Sequence, residues 1–187
     1  MTASPVVKGF WDETTGSWQY VFHDPATMKG AVVDPVWDYD RRAGVTETRR
    51  ADAIDRYVRE AGIEIVQVLD THPHADHFSA APILAERFGA PTAIGEKVTG
   101  VQALWKEIYA LPEDFPTDGR QWDRLLADGE SVMVGEIPVR VLFTPGHTLA
   151  SVAYVAGDAV FAHDTLMMPD SGTSRADFPG GDARALY

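Results

Sequence analysis

Between Thr71 and His77 the chain reads T-H-P-H-A-D-H, three imidazoles and a carboxylate within six residues, directly after the apolar run Ile63, Ile65, Val66, Val68 and Leu69. Any fold for this chain must therefore place a metal site at a strand end. Neutral imidazole and carboxylate suit borderline and moderately hard ions such as zinc, iron(II) and manganese. Five of the six histidines fall here or at His147 and His163, with only His23 outside.

A length of 187 residues suffices for a buried core and predicts one domain. The formal charge of −12, from 16 basic against 28 acidic residues, argues against a nucleic-acid partner, whose backbone is bound through Lys and Arg. Cysteine is absent, which removes disulfides, thiolate ligands and a cysteine nucleophile. No apolar stretch approaches the ~20 residues of a membrane span, and the N-terminus lacks a basic segment followed by an apolar one. The default expectation is a cytoplasmic protein with no membrane partner. Oligomeric state is left open, a homo-oligomer included.

Val6 to Trp11, Ser17 to Phe22 and Gly30 to Val33 read as an antiparallel meander separated by turn residues, with Asp34-Pro35 stopping the third strand. From Thr48 to Ala61, Ala51, Ile54, Tyr57, Val58 and Ala61 recur at helical spacing, with Gly62 as C-cap. Ile63 to Leu69 then reads as a buried strand, Phe78 to Phe88 as a helix ended by Gly89, Thr92 to Ile94 as a brief strand and Glu96 to Tyr109 as a third helix. Leu111 to Gly119 is a loop. Strands are expected at Ser131 to Val134, Val139 to Phe143, Ser151 to Val155 and Val160 to Ala162, the last two joined by a tight Gly157-Asp158 turn. Met167 to Tyr187 has no periodicity and reads as a long loop, without a helix at its end, as if the chain were cut short.

His72, His74, Asp76 and His77 can point into one cavity, and four potential ligands in six residues outweigh a merely solvated polar loop. His147, in T-P-G-H-T, follows the strand ending at Phe143; alone it would read as a turn histidine, but beside the first cluster it reads as a ligand. Asp164 follows the strand ending at Ala162 and is either a cap or a ligand. Two histidines and one carboxylate on one face of an ion would leave positions open for substrate and dioxygen. His163, its neighbour, is expected to face away, since adjacent strand residues alternate. Asp34, before Pro35, reads as a turn device, Asp70 as an acceptor from a ligand imidazole, and His23 as a turn residue. Met167, Met168 and the tryptophans read as packing.

Taken in order, T-H-P-H-A-D-H at 71–77, P-G-H-T at 145–148 and Asp164 resemble the successive metal motifs of the metallo-β-lactamase superfamily. The resemblance spans nearly the whole chain and implies an α/β fold, the αβ/βα sandwich of two mixed β-sheets flanked by helices, with the metal at the sheets' edge. These motifs serve hydrolases, lactonases and oxygenases alike and leave the reaction open.

Gly172 to Ala183, reading G-T-S-R-A-D-F-P-G-G-D-A, looks like the G-x-x-R-x-D-F-x-G-G segment of the persulfide dioxygenase branch, and within it of the bacterial β-lactamase-like hydrolase group. That resemblance implies one iron(II) per chain on His72, His147 and Asp164, with His74, Asp76 and His77 kept from a second metal site. It implies oxidation of a small-molecule persulfide, glutathione persulfide or similar, by O2 to sulfite and thiol in sulfide detoxification, with a sulfurtransferase as partner or fused domain. The late histidine of the two-metal pattern and the residues contacting the glutathione carboxylates would lie beyond Tyr187. Where the family often has Gly before the metal-binding Asp, this chain has His163. Arg175 and Asp177 read as an ion pair bracing the loop near the metal, with steering of an anionic persulfide as the functional alternative. The rival is a two-zinc thioester hydrolase of the hydroxyacylglutathione hydrolase type, in which Asp164 bridges the ions and Asp76 and His77 bind metal directly. A domain merely stapled by metal comes third, because structural sites tend to be Cys-rich.

Overall fold

The computed structural model describes residues 4–187. β1 (Val6–Asp12), β2 (Ser17–His23) and β3 (Lys29–Val33) form the expected antiparallel meander, after which β6 (Glu64–Leu69), β8 (Thr92–Gly95) and β9 (Arg124–Leu126) extend the sheet in parallel, in the order β1-β2-β3-β6-β8-β9. The three parallel additions require crossovers, and α1 (Arg49–Ala61), α2 (Ala81–Phe88) and α3 (Val98–Ile108) supply them. A second sheet is antiparallel throughout, β10 (Ser131–Val134), β11 (Ile137–Phe143), β12 (Val152–Ala156) and β13 (Ala159–Phe161).

Side-chain alternation assigns each face of the first sheet to a different layer. Phe22, Ala31, Val33 and Leu69 meet Val139, Val141, Val152 and Tyr154 of the second sheet in one buried core. Their sequence neighbours Val21, Val32 and Val68 point the other way and bury Ile54 and Val58 of α1 and Leu84 of α2. The helical spacing read in the sequence is thus the stripe that covers the sheet, and Gly62 closes α1 at φ 66° as the left-handed C-cap. α3 rests Val98 and Val101 on Ile94 and Ala150. An α/β sandwich with a mixed sheet flanked by helices is what the resemblance implied.

Several expectations are corrected. Phe78–Ser79 forms β7, not the start of a helix, and pairs with Val36–Trp37 of β4 (Val36–Asp40) in a small sheet with β5 (Val45–Glu47). Phe78 there packs edgewise on Trp37 and Tyr39, so α2 starts only at Ala81. The chain closes in a one-turn helix, α4 (Ala183–Leu186), whose Arg184 N–H bonds to the Asp182 carboxylate. His23 ends β2 as a buried strand residue.

Candidate metal centre

Three strand ends converge at one edge of the sandwich. β6 delivers His72 and His74, β11 delivers His147, and β13 runs into a short 3-10 turn, His163–Thr165, that carries Asp164. The two sheets are tied together at this edge by the Val152 N–H, which bonds to the Thr71 carbonyl at 3.0 Å. His72 Nε2 and His147 Nε2 lie 3.5 and 3.3 Å from the same oxygen, Asp164 Oδ2.

The hydrogen bonds decide where each imidazole keeps its proton. Thr71 Oγ1 donates to Asp34 Oδ2 at 2.9 Å, so at 3.0 Å from His72 Nδ1 it accepts, and His72 Nε2 is left with a free lone pair. The His147 Nδ1–H goes to the Arg175 carbonyl at 2.9 Å, which frees Nε2 in the same way. Two imidazole lone pairs therefore face one carboxylate oxygen, an arrangement that repels itself unless a cation or a proton lies between. Bonds near 2.1 Å to one ion would set such atoms roughly 3.0–3.4 Å apart, so the donor set fits a metal.

Titration follows the same geometry. Burial would push the Asp164 carboxyl up, but His147, His163 and His72 outweigh it and hold it well below the usual carboxylate range. Burial chiefly lowers His72, whereas for His147 the Asp164 carboxylate and the Arg175 carbonyl overcome burial and raise it. In His147 a proton thus answers the negative potential that a cation would answer.

A second set lies beside the first. The ligating atoms of His74, Asp76 and His77 fall within 4.8 Å of one another. His74 Nε2 bonds to Asp34 Oδ1 at 3.0 Å and His77 Nδ1 to the Phe78 carbonyl at 3.0 Å, so His74 Nδ1 and His77 Nε2 are left buried without partners. Burial, with neighbouring His72, pushes His74 down to about 3. Asp76 is exposed and accepts from Ser17 Oγ at 3.0 Å.

Asp34, read as a turn device, does turn the chain, at φ 50°, but its buried carboxylate also holds His74 and Thr71. Asp70, expected on an imidazole, instead accepts from Ser79 Oγ and Trp122 Nε1 at 2.9 and 2.8 Å, and burial pushes it up to about 7. His163 faces inward, not away. Strand alternation stops at Phe161, and at φ 38° its side chain swings to Asp164 Oδ1, 3.3 Å from Nδ1. Burial would lower it, but Asp164, Asp34 and Asp76 raise it to about 9.

Arg175 and Asp177 form the expected pair, bidentate at 2.7 and 2.9 Å and exposed, with the guanidinium 4.2 Å over the Phe178 ring. The main-chain oxygen of Arg175 on His147, and Ser174 Oγ on the Asp164 carbonyl, were invisible in the sequence, because carbonyl contacts carry no residue signature. Gly146 permits this packing: at φ 140°, it leaves room for Leu186, which any side chain there would strike. A cleft of about 760 Å³ opens at His147 and Asp164 and runs on to His74 and Asp76, lined on its apolar side by Trp105, Tyr109, Met167 and Phe178. Among the described residues no helix is long and apolar enough to cross a membrane.

Comparison with known proteins agrees with this architecture. The sequence profile of the metallo-beta-lactamase superfamily matches residues 15–187. A beta-lactamase hydrolase-like protein of Xylella fastidiosa (strain Temecula1) is 59% identical over 184 residues, covering 98% of this chain and 42% of that protein, so the chain spans less than half the length of that relative. Glyoxylase B2 of Dictyostelium discoideum is 42% identical over 100% of this chain and 65% of its own length. The mitochondrial persulfide dioxygenase ETHE1 of Bos taurus is 25% identical over 99% of this chain and 61% of its own length. The crystal structure of ETHE1 from Myxococcus xanthus superposes with a TM-score of 0.74 at 28% identity, covering 97% of this chain and 66% of that one.

Proposed function

The chain belongs to the metallo-β-lactamase superfamily, and from that premise we propose that it oxidises glutathione persulfide, or a similar low-molecular-weight persulfide, with one iron(II) held by His72, His147 and Asp164. The observation that carries this reading is the donor set itself: two imidazole nitrogens lie 3.5 and 3.3 Å from one carboxylate oxygen, beside an open cleft that His147 and Asp164 line. Two histidines and one carboxylate with open positions are the ligand set of non-haem iron oxygenases. Iron there would supply the change of oxidation state and the open positions that dioxygen chemistry needs, whereas zinc has no redox change.

The chain's own residues hold and enclose the reaction. Thr71 and the Arg175 carbonyl keep the ligand tautomers, and Trp105, Tyr109 and Phe178 give the cleft an apolar wall for the reacting sulfur. One persulfide, one dioxygen and one water yield one thiol and one sulfite with two protons; the sulfur–sulfur bond breaks and the outer sulfur is oxidised. The likeness to proteins named ETHE1, one of them a persulfide dioxygenase, supports the reading.

A second reading, a two-zinc thioester hydrolase, is favoured by the unpartnered His74 Nδ1 and His77 Nε2 beside Asp76 and by the likeness to a glyoxylase. The two separate on products. Supplied with glutathione persulfide in air, the purified protein should consume oxygen and release sulfite in equal amounts, with little cleavage of an acylglutathione. Rapid thioester cleavage with no sulfite would overturn the dioxygenase reading.

A further inference from the structure

We propose that the His163 imidazole fills the place of a second ion and limits the centre to one metal, an inference that rests on the reading of His72, His147 and Asp164 as the metal-binding set. Its ring packs against a member of each ligand set, with centroids 5.4 Å from His72 and 4.6 Å from His74. One nitrogen each from His72, His74 and His163 falls within 4.8 Å of the others. The His163 side chain is only 8% exposed.

The two oxygens of Asp164 are divided. Oδ2 faces His72 and His147, and Oδ1 faces His163 Nδ1 at 3.3 Å. An ion seated on His74, Asp76 and His77 and bridged to the first ion through both oxygens of Asp164 would take up Oδ1, which His163 faces. Neither His163 nitrogen finds a hydrogen bond of good geometry, and the residue holds a left-handed backbone that a non-glycine side chain rarely adopts. A buried, unsatisfied and strained histidine gains nothing for packing, and such strain concentrates at functional sites.

Because φ at this position is positive, glycine and asparagine both suit the backbone, so His163→Gly and His163→Asn remove the ring without breaking the turn. Each protein would be loaded with excess zinc, freed of unbound ion by gel filtration and analysed for metal per chain, with circular dichroism as the check of fold. The expected result is one zinc for the wild type and two for folded His163→Gly, returning to one when His77→Ala is added. A wild type carrying two zincs, or a folded variant still carrying one, overturns the proposal; so does a folded variant that loses its metal, since His163 would then be a ligand. His163→Asn decides by the same criteria if His163→Gly does not fold. A wild type with one ion but no persulfide oxidation refutes the proposed function alone.

Discussion

His147 and Arg175 are joined by a hydrogen bond of 2.9 Å from the imidazole Nδ1–H to the main-chain oxygen. The neighbouring Ser174 hydroxyl reaches the Asp164 carbonyl, so two consecutive residues of one loop hold two of the three candidate ligands. What keeps that loop in shape is exposed: the Arg175–Asp177 pair and the stacking of Arg175 on Phe178, whose ring meets His147 at 5.2 Å.

Asp177→Asn should therefore weaken metal binding without removing a ligand. Loss of an outer partner of a ligating imidazole costs about 10–100-fold in metal affinity, and the loosened loop should fall near the lower end. Competition with a chelator measures it. Unchanged affinity would mean that the loop holds its carbonyl without the pair.

Replacing His72, His147 or Asp164 with Ala should abolish both iron binding and persulfide oxidation. Asp76→Asn and His77→Ala should keep the iron and lower the rate only in part. Elemental analysis of the five variants checks this, and loss of metal from either of the last two would favour the two-metal hydrolase.

Arg50 bridges two buried carboxylates, Asp12 at the end of β1 and Asp38 in β4, with side chains 1% and 3% exposed. Arg50→Met leaves Asp12 without a cation and Asp38 with only the exposed Arg49, 3.9 Å away. Breaking a buried pair costs about 3–5 kcal/mol, and the partial exposure of Arg50 reduces this to roughly 2–4 kcal/mol. Urea unfolding should show the loss with the metal-binding set intact.

Asp70 gives a pH dependence of stability in the metal-free protein. Burial raises its folded pKa to about 7, above the value of about 3.9 in an unfolded chain. The folded state binds the extra proton, so this contribution is complete below about pH 4 and is lost as pH rises through 7. Asp70→Asn should leave stability little changed at pH 4 and gain on the wild type by a few kcal/mol, as an order of magnitude, by pH 8. A pH-independent difference in urea midpoint would contradict this.

The metal motif was legible because its ligands are crowded into a few residues, and the meander, α1 with its Gly62 cap and the Gly157-Asp158 hairpin were legible because local pattern decides them. β5, β7 and β9, at two or three residues each, are too short to show a period, whereas β4, also unread in the sequence, carries an alternation, V-W-D-Y-D, that could have found it. The inward turn of His163 was hidden because strand alternation stops at Phe161, two residues before it. Asp34 keeps its turn and also takes the imidazole expected on Asp70, because a sequence does not say which of two nearby carboxylates the fold turns toward the imidazoles.

The most direct test is the metal content of protein purified without chelator or added metal, paired with oxygen uptake on glutathione persulfide by the same preparation. The account predicts about one iron per chain and uptake that depends on persulfide. About two zincs per chain with no uptake would contradict it and move the chain to the thioester hydrolases.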